Sequence, residues 1–218
     1  MTLAIFDLDN TLLAGDSDHA WGEFLVEEGI VDAEEYRKAN DRFYHEYLNG
    51  ELDILHYLGF ALEPLASHNM DQLLDWRNTF MDKKVRPMML SKAAELLDRH
   101  RDQGHTLMII TATNRFVTEP IAEALGIEHL IATEPELVNG RYTGEVAGIP
   151  SFQDGKVERL NAWLEAHGKN LDGAWFYSDS HNDVPLLKVV SNPVAVDPDP
   201  TLEALARDQG WQILSLRD

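Results

Sequence analysis

Short apolar runs at 3–8, 106–110, 129–133, 174–177, 193–196 and 212–216 alternate with stretches of helical periodicity. This alternation constrains the chain more than any other feature. Strands buried on both faces read as continuous apolar runs, and helices between them supply the crossovers of a parallel sheet. The helical stretches lie at 91–103, 116–125, 156–167 and 201–209, and Gly104, Gly126 and Gly168 follow three of them as stop signals. The expected fold is α/β, a doubly wound parallel sheet.

Two segments break the alternation. Residues 17–84 hold no convincing strand and carry helical spacing instead, with Trp21, Phe24 and Leu25 on one face and Tyr36, Phe43, Tyr47 and Leu48 on another. A helical insertion after the first strand accounts for them. It divides the chain into a core domain at 1–16 and 85–218 and a helical cap domain at 17–84. The spacing of Trp21, Phe43, Tyr47, Tyr57, Phe60 and Trp76 favours roles in the core over ligand contact. The second break, at 136–146, centres on Asn139-Gly140, a hairpin signal because both turn residues tolerate positive φ.

The 38 acidic against 18 basic residues give a formal charge of −20, which repels nucleic-acid backbones and anionic membranes. Neither is expected as a partner, and a phosphate-ester substrate would need a local cation to reverse the sign at its site. With no cysteine in the sequence, disulfides and thiolate–zinc sites are excluded, and a reducing cytoplasm is the expected location. The first residues lack the pattern of a signal peptide, and no apolar run approaches the ~18 residues of a membrane span.

The chemistry gathers at strand ends. Asp7 and Asp9 close the first apolar run, and strand alternation puts both on one face. Like charges about 4 Å apart repel by about 4 kcal/mol at an effective dielectric near 20, so a neutralising divalent cation is expected. Asp179 and Asp183 follow the apolar run 174–177. In open α/β sheets ligands bind beyond the carboxyl ends of strands, so both acidic pairs point to one crevice. An oxygen-only ligand set favours magnesium over zinc. Thr111 closes another strand just before a helix, where a hydroxyl and free backbone N–H groups suit phosphate. Lys156 opens the helix after the hairpin and can serve as a point charge on phosphate oxygens. His181 is expected beside the site and not in the chemistry.

Taken in order, Asp7-Leu8-Asp9-Asn10-Thr11, Thr111, Lys156, and Asp179 with Asp183 resemble the four signature motifs of the haloacid dehalogenase superfamily of phosphatases. The helical insertion and the hairpin before the lysine resemble its phosphoserine-phosphatase-like branch. The resemblance implies a Rossmann-like core and a small-molecule phosphate monoester as substrate. It also implies Asp7 as nucleophile, Asp9 as general acid and base, and Thr111 and Lys156 on the phosphoryl oxygens. Magnesium would be held by Asp7, the Asp9 backbone carbonyl, Asp179 and, directly or through water, Asp183. Relatives with threonine in place of Asp9 are ion pumps, so Asp9 favours hydrolysis. Two departures stand out: Ser178 and Ser180 replace the usual glycines of the fourth motif, and Asn10 stands where phosphoserine phosphatases usually have serine.

Asp16 falls where such enzymes place an acid that meets a substrate ammonium, although it also fits a helix cap. No arginine is an evident partner for a substrate carboxylate; Arg37, Arg42 and Arg77 read as surface residues. An amine without a carboxylate points to histidinol phosphate, with Asp16, Asp18 and His19 near its amine or imidazole, ahead of phosphoserine. A phosphotransferase passing phosphate to a hydroxyl and an inactive phosphate-binding regulator are the alternatives; monomer and homodimer both stay open.

Overall fold

The computed structural model describes residues 2–217. In chain order the elements begin with β1 (Leu3–Phe6), then α1 (Ser17–Glu27), α2 (Ala33–Leu48), α3 (Ile54–Ala61), α4 (Glu63–Ser67) and α5 (Met70–Phe80). A π-helical turn, Met81–Val85, leads through α6 (Arg86–Met88) to α7 (Ser91–Asp102), β2 (Thr106–Asn114), α8 (Arg115–Ala124) and β3 (His129–Thr133). The hairpin β4 (Pro135–Val138) and β5 (Arg141–Val146) precedes α9 (Asp154–His167) and β6 (Trp175–Ser178). A 3₁₀ turn, His181–Asp183, then α10 (Val184–Leu187), β7 (Asn192–Val196), α11 (Pro200–Gln209) and β8 (Gln212–Leu214) complete the chain.

Six strands form one sheet in the order β3-β2-β1-β6-β7-β8, every neighbouring pair parallel. The fold is α/β, as the alternation predicts. The order reverses at the junction of β1 and β6, the switch point where open α/β sheets bind ligands. β1 is buried along its whole length, as a strand covered on both faces should be. The expected hairpin also forms: Asn139 and Gly140 turn it at φ 51° and 76°, the pair of positive values that its tight turn needs.

Two boundaries beside the site differ from the sequence reading. β1 ends at Phe6, not at residue 8, because the Leu8 carbonyl accepts from the amides of Leu12 (2.9 Å) and Leu13 (3.1 Å) and turns the chain off the sheet. β2 runs on to Asn114, with an irregularity in its pairing to β3 between Ile110 and Asn114. Thr111 therefore lies within the strand. Asn114 then caps α8 by accepting from the Val117 amide at 3.2 Å.

All five helices α1 to α5 lie between β1 and β2, as the missing strand signal implies. Their apolar faces are continuous with the sheet. Trp21, Phe24 and Phe80 fall in one buried cluster with Ala4, Phe6, Ile109 and Phe116. Rings of Trp21, Phe24, Phe80 and Phe116 meet at centroid separations of 5.1–5.8 Å, the range of favourable aromatic pairs.

That shared cluster has a measurable consequence. Phe80→Ala removes a fully buried ring and should destabilise the whole chain by about 3–5 kcal/mol. Urea unfolding should show this as a lower midpoint in a single transition; loss of insertion helicity alone, with the sheet unaffected, would contradict it.

Candidate active site

The site forms where β1, β2 and β6 end. The Asp7 amide donates to the Tyr177 carbonyl at 2.9 Å, carrying the β1–β6 pairing one residue past the strand. The tight turn that follows holds Asn10 at φ 57°, a left-handed conformation that asparagine tolerates. Asp9 thus sits in a turn and does not share a strand face with Asp7. Both residues nonetheless line one pocket, together with Thr111 and Thr113.

Lys156, buried near the start of α9, donates to Asp7 Oδ1 at 2.8 Å. Its Nζ also lies 2.7 and 2.8 Å from Asp183 Oδ1 and Oδ2. Ser178 donates its hydroxyl to Asp183 Oδ2 at 2.7 Å. The lysine therefore bridges the ends of β1 and the 3₁₀ turn, with both oxygens of Asp183 engaged. Across the cluster, the Thr11 hydroxyl donates to Asp179 Oδ1 at 3.1 Å and lies 3.4 Å from Asp7 Oδ2.

Asp9 is held from two sides. Its Oδ1 accepts from the Ser17 amide at 2.6 Å and from the Ser17 hydroxyl, and its Oδ2 from the Thr113 hydroxyl at 2.8 Å. Thr111 is more distant, at 3.4 Å. Ser17 and Thr113 escaped the sequence reading. Thr113 carried a usable signal, since residues two apart on a strand share a face and Thr113 follows Thr111 by two. Ser17 carried only its place at the first turn of a helix.

Charge in this crevice is poorly balanced. Burial pushes the Asp7 carboxyl up to about 7, against the pull of Lys156 and with help from Asp183 and Asp9. Asp179 is pushed well above the usual carboxylate range by burial and by Asp7 and Asp183, with only partial relief from Thr11. Burial works against the Lys156 charge, but Asp183 and Asp7 overcome it and raise its pKa. Among the described residues no three acidic, histidine or cysteine side chains form a ready-made metal cage, because Lys156 and Thr11 stand between the carboxylates. Even so, two under-neutralised carboxylates, Asp7 and Asp179, form a hard oxygen donor set that fits a magnesium ion.

The opposite wall comes from the helical insertion. Asp16 caps α1, its Oδ1 accepting from the amides of Asp18 (2.9 Å) and His19 (2.8 Å), and it also lines the pocket. The helix-cap reading of Asp16 therefore holds, and the same carboxylate is open to the pocket. Burial raises the Asp18 carboxyl to about 7, although the Tyr57 hydroxyl favours its charged form. His19 lines the same wall, its Nε2 3.0 Å from Asp41 Oδ1 and its ring 4.7 Å from that of Tyr44.

The expectation that the insertion's aromatics serve the core holds for Trp21 and for Phe43, both buried, yet some of these rings also meet the pocket. Phe43, Tyr47 and Tyr57 wall the pocket, because a helix face that packs on one side of a crevice is spaced like a core face. Arg77 is spent on the Phe116 carbonyl and ring, and Arg37 and Arg42 are exposed. Among the described residues, no lysine or arginine lines the insertion side of the pocket. His181 pairs with Asp199 at 2.8 Å, beside the site.

The chain matches the family model of haloacid dehalogenase-like hydrolases over residues 4–188. It is 43% identical to a histidinol-phosphatase of Neisseria meningitidis serogroup C (strain 8013), over 99% of each chain. A solved protein of unknown function from Bordetella pertussis Tohama I superposes with a TM-score of 0.94 at 44% identity, covering 100% of both chains. A phosphoserine phosphatase carrying an analogue of its phospho-aspartyl intermediate shares the fold, with a TM-score of 0.72 at 18% identity over 99% of this chain and 93% of that one. The chain belongs to the haloacid dehalogenase-like hydrolases. Within that family it is a phosphatase, an enzyme that hydrolyses phosphoric monoesters. Phosphatases of this family generally use magnesium. Among the described residues, no helix is long and apolar enough to cross a membrane.

The raised carboxyls make stability depend on pH. Burial pushes Asp7 and Asp18 up to about 7 in the folded chain, against 3.8 for a free side chain. The folded state therefore binds more protons between these values, and their contribution, complete below about pH 4, is lost as pH rises through about 7. Without metal, the melting temperature should fall between about pH 5 and pH 8. Asp18→Asn should be more stable than wild type near pH 8, by on the order of a few kcal/mol. A melting temperature that climbs over that range, with Asp18→Asn no better than wild type, would contradict the assignment.

Proposed function

We propose that the protein hydrolyses a small amine-bearing phosphomonoester, histidinol phosphate first, through a phosphorylated Asp7 and with magnesium bound. One observation carries the substrate choice. The leaving-group side of the pocket offers Asp16 and Asp18 with aromatic walls, and no lysine or arginine. An ammonium finds carboxylates there, and an imidazole finds the rings of Phe43, Tyr44 and Tyr57. The carboxylate of phosphoserine would face two acids without a partner, a costly desolvation. The 43% identity to the Neisseria histidinol-phosphatase supports the same choice.

In the proposed mechanism a carboxylate oxygen of Asp7 attacks phosphorus in line, and the bond from phosphorus to the leaving oxygen breaks. Asp9 passes its proton to that oxygen, releasing the alcohol. Asp9 then takes a proton from water, whose oxygen attacks phosphorus. The bond to Asp7 breaks, freeing phosphate and restoring the carboxylate. Ser17 and Thr113 hold Asp9 in place for both transfers. Lys156 balances Asp7 and can reach the phosphoryl oxygens, and Asp183 anchors the lysine from behind. Thr111 is assigned to the phosphoryl oxygens as well. Asp7, the Asp9 backbone carbonyl and Asp179 would hold the magnesium ion, with Asp183 contributing directly or through water. The ion supplies positive charge where a carboxylate and a phosphate ester must meet. Residues 17–84 act as the cap that selects the leaving group.

A substrate panel tests this reading. With magnesium, kcat/KM should favour histidinol phosphate over phosphoserine by on the order of 100-fold or more, the scale of leaving a buried charge unpaired. Asp7→Asn should remove turnover of both while the fold persists. A preference for phosphoserine would overturn the substrate, and an active Asp7→Asn enzyme would overturn the mechanism.

A further inference from the structure

The turn that carries Asp9 is gripped by a residue 207 positions further along the chain than Asn10. Arg217 donates from both Nη1 and Nη2 to the Asn10 carbonyl, each at 3.1 Å. Its Nη1 also lies 3.0 Å from Asp197 Oδ2, which accepts from the Leu216 amide at 2.9 Å. The segment that delivers this guanidinium is itself fixed. Leu216 is buried in the same cluster as Phe6 and Leu8, and the Asp197 amide, just past β7, donates to the Leu214 carbonyl at 2.9 Å.

Two unusual backbone conformations meet at Arg217. Asn10 stands at φ 57° and Asp197 at φ 43°, in the left-handed region that most side chains avoid. Residues persist there when their surroundings over-determine them. Asn10 is held on both sides: its amide donates to the Gly15 carbonyl at 2.9 Å, and its carbonyl takes both bonds from Arg217.

Peptide planarity says what this grip aims. Across a trans peptide the N–H and the preceding carbonyl point opposite ways, so the bond from Asn10 to Gly15 turns the Asp9 carbonyl away from Gly15. The next peptide leads into Thr11, whose hydroxyl donates to Asp179 Oδ1 at 3.1 Å and accepts from the Asp179 amide at 3.0 Å. Arg217 therefore holds the joint between the Asp9 carbonyl and the hydroxyl that orients Asp179. Those are two of the three groups assigned to magnesium.

We propose that Arg217, anchored by Asp197, is a positioning residue for the magnesium site, acting through the Asn10 backbone. This rests on the magnesium-dependent phosphatase reading of the site. Arg217 does not line the pocket, so its loss falls alike on every substrate. Charge alone predicts the opposite sign for the metal. Deleting an arginine from a chain of net charge −20 favours a cation, so weaker magnesium binding has to come from geometry.

The test uses the full chain, Arg217→Ala and Arg217→Lys. Titrated with magnesium in a calorimeter, without substrate, Arg217→Ala should show a Kd about tenfold weaker than wild type. Arg217→Lys, whose ammonium can keep one bond to the carbonyl, should fall between the two. At magnesium near the wild-type Kd, Arg217→Ala should lose about tenfold in kcat on histidinol phosphate and on p-nitrophenyl phosphate alike, with KM little changed. Excess magnesium should restore most of that loss. Magnesium bound by Arg217→Ala as tightly as by wild type, or a loss confined to one substrate, overturns the proposal. If Arg217→Ala does not fold, Arg217→Lys decides: a weakened Kd supports the proposal and a wild-type Kd overturns it. A wild type that hydrolyses neither substrate refutes the phosphatase reading, and the magnesium Kd values then judge Arg217 alone. A wild type that binds no magnesium overturns the proposal outright.

Discussion

One buried ammonium organises the crevice. Lys156 sits between Asp7 and Asp183 with its Nζ 2.7–2.8 Å from both carboxylates, and little water reaches any of the three. Removing one partner from such a set leaves a charge stranded in a low-dielectric place, which is why buried pairs are costly to break. The lysine comes from α9, Asp7 from the end of β1 and Asp183 from the turn after β6. Holding these three together fixes how the switch point of the sheet is assembled. A single positive charge still cannot balance Asp7, Asp9, Asp179 and Asp183. Burial first, and that deficit after it, push the carboxyls of Asp7 and Asp179 up. A divalent cation and a phosphoryl group could enter together, each offsetting the charge of the other.

In the proposed function, selectivity is a separate matter that belongs to the insertion. The sheet end supplies groups suited to phosphate in general. The wall above it, built from α1 to α3, supplies acids and rings suited to a cationic leaving group. This wall is not loosely tethered, because Trp21, Phe24 and Phe80 share the buried cluster of the sheet. The same first turn of α1 that shapes the wall also holds Asp9, through Ser17. In the proposed mechanism, substrate choice and proton transfer are therefore set within a few residues of each other.

Much of this was legible in the sequence, for reasons that can be named. Apolar runs and glycine stops located the strands and helices, since burial on both faces leaves a plain compositional trace. Asp7, Asp9 and Asp179 could be brought together on paper because strand ends in such sheets converge, and Lys156 because it opens the helix after the hairpin. The boundaries were harder. Nothing in Asp7-Leu8-Asp9 announces that the Leu8 carbonyl will turn the chain, so the shared strand face for Asp7 and Asp9 was misplaced. Phe43, Tyr47 and Tyr57 have the spacing of a core face, and spacing does not say whether that face meets another helix or a pocket. Asp183 looks like a metal ligand in one dimension. Its engagement with Lys156 and Ser178 requires knowing that α9 passes behind it.

The central claim, that this carboxylate cluster stays partly protonated until a cation relieves it, can be measured directly. Magnesium titrated calorimetrically near pH 6.5, in two buffers of different ionisation enthalpy, reports the protons released on binding. Asp7 is pushed up to about 7 and Asp179 well above the usual carboxylate range, so protons should leave as the ion binds, and Asp179→Asn should release fewer. Magnesium binding with no proton release, or release unchanged in Asp179→Asn, would contradict the account.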